Sequence, residues 1–169
     1  TPSSTPGCWL CAMTLRQSDP TKAVLWDNAS PTGGTPEWVI RDAQIGNQTV
    51  GASRALYLRG SAARVIRSTI ANISDSTKYS LYIDGAATVD LQASQIVGGR
   101  SIQRTGGKVS ARHCEFEGYA NTGFLVDATA TVAPEIGNCV FSGETQTPVT
   151  NNSGTVVLTS GDVYGNFYL

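Results

Sequence analysis

Methionine and histidine occur once each in the 169 residues, and lysine plus glutamate only eight times together. Strong helix formers are therefore scarce, which excludes a helical bundle or coiled coil. Charge of one sign is also lacking: 12 basic residues face 13 acidic ones, for a net charge of −1. Without a basic excess there is no electrostatic footprint for nucleic acid and no polybasic membrane surface. No apolar run approaches the roughly 18 residues that span a bilayer, so no membrane insertion is expected. No charged stretch followed by an apolar one opens the chain. It begins at Thr1, and the Thr-Pro-Ser-Ser-Thr-Pro stretch reads as a linker cut from something longer. Of the four cysteines, Cys8 and Cys11 form a Cys-x-x-Cys, but no second such pair and only His113 accompany it. That is too few ligands for a zinc site, and no metal or cofactor is expected.

Small and β-branched residues are plentiful instead. Glycine, serine, threonine and alanine number 18, 16, 19 and 17, and valine, isoleucine and threonine total 42. Hydrophobic residues make up 40% of the chain, enough for a core and against global disorder. An all-β fold follows.

The chain repeats itself. Ile45, Ile70, Ile96, Phe116, Phe141 and Val163 align at spacings of 25, 26, 20, 25 and 22 residues. Two residues before each stands a small residue: Ala43, Ser68, Ser94, Cys114, Cys139 and Gly161. Two residues after each stands Asn47, Asn72, Gly98, Gly118, Gly143 or Gly165. Five residues before, Ile40, Val65, Leu91, Ala111, Ile136 and Leu158 are apolar. Alternation with period two puts apolar residues on one face of a strand. The extra residue between the second apolar position and the small one breaks that alternation, so the chain turns a corner there. The small residue suits the place where two walls converge, and the Gly or Asn after the anchor suits a left-handed turn. A further short apolar strand follows in most repeats, as at Leu56 and Leu58 or Leu81 and Ile83. Three short strands in 20–26 residues describe a coil that stacks on itself at about 4.8 Å per turn. Like residues then pile on like, with Cys114 over Cys139 as free, buried thiols. A β-sandwich does not demand a small residue and a turn residue at fixed offsets six times over, and no six-residue period supports a left-handed hexapeptide helix.

This pattern resembles the right-handed parallel β-helix family, which includes pectate-lyase-like enzymes and phage tailspikes. The resemblance covers residues 38–169 and implies six to seven short coils. Residues 1–37 read as the linker followed by a cap or an incomplete first coil, with Ala23–Trp26 as its last strand. Pro134 falls where an apolar strand residue is expected, so that strand should be shifted or bulged. The longest loops, Gln48–Ala55 and Ile73–Ser80, should protrude on one side.

Two classes of function compete. The first is a non-enzymatic structural or binding module, such as the β-helical part of a phage tail spike, fibre or capsid decoration. The resemblance then implies a virion or extracellular surface, a homotrimer or other virion proteins as partners, and a cell-surface polysaccharide as ligand. Outward tyrosines favour it: Tyr57 and Tyr82 occupy matching positions between inward residues, and with Trp38 they are the candidate binding aromatics. The second class is a small polysaccharide lyase or hydrolase, and a bacterial adhesin repeat is a third reading. Enzymes of this shape carry acids and bases on outward positions of one sheet. His113, Glu115 and Glu117 are the densest ionisable group here, with Arg112 adjacent and Asp162 expected two coils away. Glu115 and Glu117 have the alternate spacing that brings two carboxyls into the range of a glycosidase pair. Four Asn-x-Ser/Thr sites (Asn28, Asn47, Asn72, Asn151) complete the motifs.

Overall fold

The computed structural model describes residues 8–17, 23–27, 37–47, 54–60, 62–72, 79–85, 87–98, 100–103, 107–118, 122–143 and 147–169. These form strands and no helix. The chain runs through β1 (Cys8–Cys11), β2 (Thr14–Gln17) and β3 (Ala23–Asp27), then β4 (Glu37–Arg41), β5 (Gln44–Asn47) and β6 (Arg54–Leu58). It repeats the circuit in β7 (Ala62–Ile66), β8 (Thr69–Asn72), β9 (Tyr79–Ile83), and again in β10 (Thr88–Gln92), β11 (Gln95–Gly98), β12 (Arg100–Gln103). Then come β13 (Lys108–Arg112), β14 (Glu115–Gly118), β15 (Thr122–Val126), and β16 (Glu135–Gly137), β17 (Val140–Ser142), β18 (Thr147–Asn151). The last two strands are β19 (Val163–Tyr164) and β20 (Phe167–Tyr168).

Each of the first six circuits gives one strand to each of three sheets, and the last gives β19 and β20 to two of them. Sheet A has the order β1-β4-β7-β10-β13-β16-β19, sheet B the order β2-β5-β8-β11-β14-β17-β20, and sheet C the order β18-β15-β12-β9-β6-β3. All pairings are parallel and join consecutive circuits. The architecture is all-β with parallel sheets, as a β-helix requires. The anchors stack as the repeat demands: Ile45 on Ile70, Ile70 on Ile96, Ile96 on Phe116, and Phe116 on Phe141. The two phenylalanine rings stack at 5.0 Å with 12° between planes.

β1, β2 and β3 extend the three sheets, with Leu10 opposite Ile40, Leu15 opposite Ile45 and Leu25 opposite Leu56. The final anchor is not Val163, which lies beside Ile136 in sheet A; Tyr168 stacks on Phe141 instead. Val163 and Tyr168 are both apolar and five residues apart, so spacing alone does not separate them. The strand after Pro134 is shortened, starting at Glu135, because proline has no N–H for the ladder. Most of the two long loops, 48–53 and 73–78, lies outside the described residues.

The corner between sheets A and B is the constraint that sets the small-residue column. The left-handed residues stand three before the anchor: Ala12, Asp42, Arg67, Ala93, His113 and Asn138, with φ of 46–54°. They are therefore not the Asn or Gly after the anchor, although Gly98 and Gly143 also have positive φ. At this corner the ladder reverses direction. The corner N–H donates to the following circuit, as from Asp42 to Ile66 O and from Arg67 to Gln92 O. The N–H two residues later donates to the preceding circuit, as from Gln44 to Met13 O and from Thr69 to Ala43 O. The N–H between them has no carbonyl to reach. A side chain from the next circuit takes it: Ala43 N–H donates to Ser68 Oγ at 3.1 Å, Ser68 N–H to Ser94 Oγ at 3.2 Å, and Cys139 N–H to Asn166 Oδ1 at 2.8 Å. Cys114 and Cys139 hold the same column position in the circuits between, beside the amides of Ser94 and Cys114. The serine hydroxyls donate in turn to the carbonyls of Ile66 and Gln92.

Leaving such an N–H unmet costs about 1–3 kcal/mol. Ser94→Ala should therefore lower the unfolding free energy by about 1–2 kcal/mol in urea denaturation. Ser101 is the internal control: it is fully buried over Leu81 and under Phe124, and its Oγ has no partner among the described residues. Ser101→Ala should leave stability unchanged or raise it. At the corner itself, Ala93→Gly should gain about 1 kcal/mol, because alanine is strained at φ +46°.

Candidate functional site

Sheet B presents two outward rows beside this corner. The row before the anchor runs Thr14, Gln44, Thr69, Gln95, Glu115 and Val140, one residue per circuit. The row after it runs Arg16, Gly46, Ala71, Val97, Glu117 and Ser142. Gly46 and Ala71 of the second row are small and open the sheet surface beside Gln44 and Thr69. An open groove of about 880 Å³ lies over Thr69, Gln95, Glu115 and Val140, rimmed by the corner residues Arg67, Ala93, His113 and Asn138. A second depression of about 310 Å³ shares Thr69 and Gln95 and reaches Arg16, Thr14 and Gln44. Together they follow the sheet for most of its length.

Glu115 and Glu117 are brought together as the alternation predicts. The Gln95 side-chain amide donates to Glu115 Oε2 at 3.1 Å and to Glu117 Oε2 at 3.4 Å. One nitrogen thus holds both carboxylates on the same side of the sheet. His113 is exposed on the rim of the same groove, and its ring takes no hydrogen bond among the described residues. Asp162 is elsewhere. It precedes β19, its backbone carbonyl accepts from Ile136 N–H, and its carboxylate accepts from the Thr159 N–H and hydroxyl at 2.8 and 2.7 Å. These bonds hold its acid below the ordinary range. The register slip of the last repeat had placed it on sheet B.

The expected aromatic face is covered. Tyr57 and Tyr82 do point out of sheet C and lie ring to ring at 5.3 Å, tilted by 31°, but they are only 6% and 3% exposed. Arg54 lies over both rings at 4.9 and 4.4 Å, and Tyr79 and Leu125 complete the cluster. Trp38 is half-buried against the main core. The exposed aromatic the sequence reading passed over is Trp9, 67% exposed; its signal was the alternation with Leu10, readable only once β1 is recognised as a sheet A strand. Asn72 is fully buried and its amide donates to Tyr79 O, so it is closed to glycan attachment.

Among the described residues three ion pairs brace the corner, the first joining Arg41 Nε to Asp42 Oδ2 at 3.2 Å. Arg67 grips Asp42 of the preceding circuit with two bonds, Nε to Oδ1 at 2.7 Å and an Nη to Oδ2 at 2.8 Å. Arg112 holds Glu135 at 2.6 Å, and the Tyr164 hydroxyl donates to the same oxygen at 3.1 Å. Arg67, hydrogen-bonded to Asp42, holds that carboxyl below its usual value, and Arg112 does the same for Glu135. Arg67 is thereby fixed on the groove rim. Among the described residues no three His, Cys, Asp or Glu side chains are grouped to hold a metal ion. No protein-family model, curated protein or solved structure matches the chain.

Folded Asp42 releases its proton more readily than the unfolded chain, whose value lies near 3.8. Its pairing therefore stabilises the fold above about pH 3.8 and fades as pH falls through the lower folded value. Wild type should exceed Asp42→Asn in denaturant midpoint at neutral pH, with the difference closing below pH 3.8. A difference independent of pH would contradict the pairing.

Proposed function

We propose that the chain is a right-handed parallel β-helix of seven short circuits that serves as a non-enzymatic structural or binding module, part of a virion appendage or another extracellular surface. Its ligand is an extended, hydroxyl-rich cell-surface polysaccharide lying along sheet B. Right-handedness is the expectation for nearly every crossover between parallel strands. The observation that carries the binding reading is the ladder Thr14, Gln44, Thr69, Gln95, Glu115: donors and acceptors at one-circuit intervals beneath an open trough. Such a strip matches a polymer that repeats along the helix axis, and it offers no enclosed pocket for a single reacting sugar. Trimerisation through faces other than sheet B leaves the strip free and suits an appendage.

A carbohydrate-active enzyme is the second reading. It is favoured by one feature, the Glu115 and Glu117 carboxylates joined through Gln95 with His113 on the same rim. The two readings part on a simple assay. Affinity electrophoresis against neutral and acidic polysaccharides should show retardation by at least one of them. Gln95→Ala with Thr69→Val should weaken that retardation tenfold or more, since about 1.4 kcal/mol corresponds to tenfold. No new sugar ends should appear during long incubation. Release of product that stops in Glu115→Gln would replace binding with catalysis, and absence of retardation by every polysaccharide would sink both. Light scattering should give the mass of a trimer; a monomer at all concentrations would contradict the appendage assembly.

A further inference from the structure

We propose that Cys114 and Cys139 form an oxidation site, in which peroxide joins two adjacent circuits by a disulfide across the corner column. Both cysteines are free and buried. They are stacked in register, since Arg112 pairs with Gly137 and Glu115 with Val140 on either side. Adjacent parallel strands lie about 4.8 Å apart, inside the roughly 4.4–6.8 Å window of Cα separations for a disulfide. Cys114 also lines the open groove on sheet B, which gives a small oxidant a route to the pair.

The surroundings tolerate loss of both thiol protons. Cys114 donates to Arg112 O at 3.3 Å and Cys139 to Gly137 O at 3.4 Å. Each of those carbonyls already accepts a backbone bond, from Ala93 N–H and from His113 N–H. Those two carbonyls therefore keep a partner when the thiols are gone; Cys139 also reaches Ala111 O at 3.6 Å, a carbonyl of β13 beside β16. Of the corner column only these two consecutive circuits carry thiols; the preceding ones carry Met13, Ala43, Ser68 and Ser94, and the next carries Asn166.

The chemistry balances with peroxide as the oxidant. The Sγ of Cys114, the cysteine that lines the groove, attacks one peroxide oxygen; the O–O bond breaks, the thiol proton joins the departing oxygen, and Cys114 becomes a sulfenic acid as water leaves. Cys139 Sγ then attacks the sulfenic sulfur and displaces its hydroxyl, which leaves as a second water with the Cys139 proton. Two thiols are oxidised by two electrons and one peroxide is reduced to two waters. Closing the bond rotates the two Cβ–Sγ bonds away from their stacked alignment.

The test uses the full chain and a Cys8→Ser, Cys11→Ser variant in which only this pair remains. Both are treated with hydrogen peroxide while folded, alkylated in denaturant and mapped by mass spectrometry. The expected result in both is a Cys114–Cys139 linked peptide lacking two hydrogens and carrying no alkyl group. The oxidised protein should melt at a higher temperature, and a thiol reductant should reverse the rise. Cys114→Ser and Cys139→Ser should each abolish link and rise together. The proposal is overturned if both cysteines remain fully alkylatable in wild type, or if they pass to sulfinic acid without a cross-link.

Discussion

The reversal of hydrogen bonding at the corner between sheets A and B is the constraint on which the rest depends. A left-handed residue turns the backbone there, so one amide in every circuit faces neither neighbour's carbonyl. A parallel stack cannot leave such an amide dry, since each would cost about 1–3 kcal/mol and the cost recurs along the whole column. From the second circuit on, the next circuit supplies a short polar side chain: Ser68, Ser94 and Asn166 accept from the amide, with Cys114 and Cys139 at the same place between them, whereas the half-buried Met13 of the end circuit faces the acceptorless Ala43. The corner thereby locks register between circuits. A slip of one residue would move the acceptors out of reach and turn the core residues outward.

That register places the functional face. Because Ile45, Ile70, Ile96 and Phe116 all point inward over the corner column, their neighbours Gln44, Thr69, Gln95 and Glu115 all point outward in one line. Glu117 follows two residues after Glu115 and meets it through Gln95. The strip is thus a by-product of stacking: the fold fixes where each outward residue stands, and only the choice of residue types remains for function. The same stacking puts Tyr57 on Tyr82, but there an arginine lies over the rings and closes the face.

Much of this was legible in the chain. The spacing of Ile45, Ile70, Ile96, Phe116 and Phe141 carries the stack, because a repeated core needs the same apolar residue at the same place in each circuit. The Glu115–Glu117 juxtaposition follows from strand alternation alone. Three things were not readable. The column was visible as small, but its work as acceptor was hidden, since Ala43 shares the size and lacks the oxygen. The left-handed corner falls on Ala12, Arg67 and Ala93 as readily as on Asp42, His113 and Asn138, so residue type alone does not mark it. The ends of the array are harder still: with neighbours on one side only, Cys8–Asp27 and Val163–Tyr168 relax the repeat, and Asp162 was displaced as a result. The cover over Tyr57 and Tyr82 depends on Arg54, whose position over the rings is a matter of packing and not of period.

Native-state hydrogen exchange, read residue by residue by NMR, tests the corner most directly. The amides of Ala43, Ser68 and Cys139 should exchange as slowly as those of the strand residues Ile70 and Phe141, because all are held until the stack opens. Exchange of those three at the rate of exposed loop amides, with the flanking strands still protected, would show that the column does not carry the bonds that hold the circuits in register.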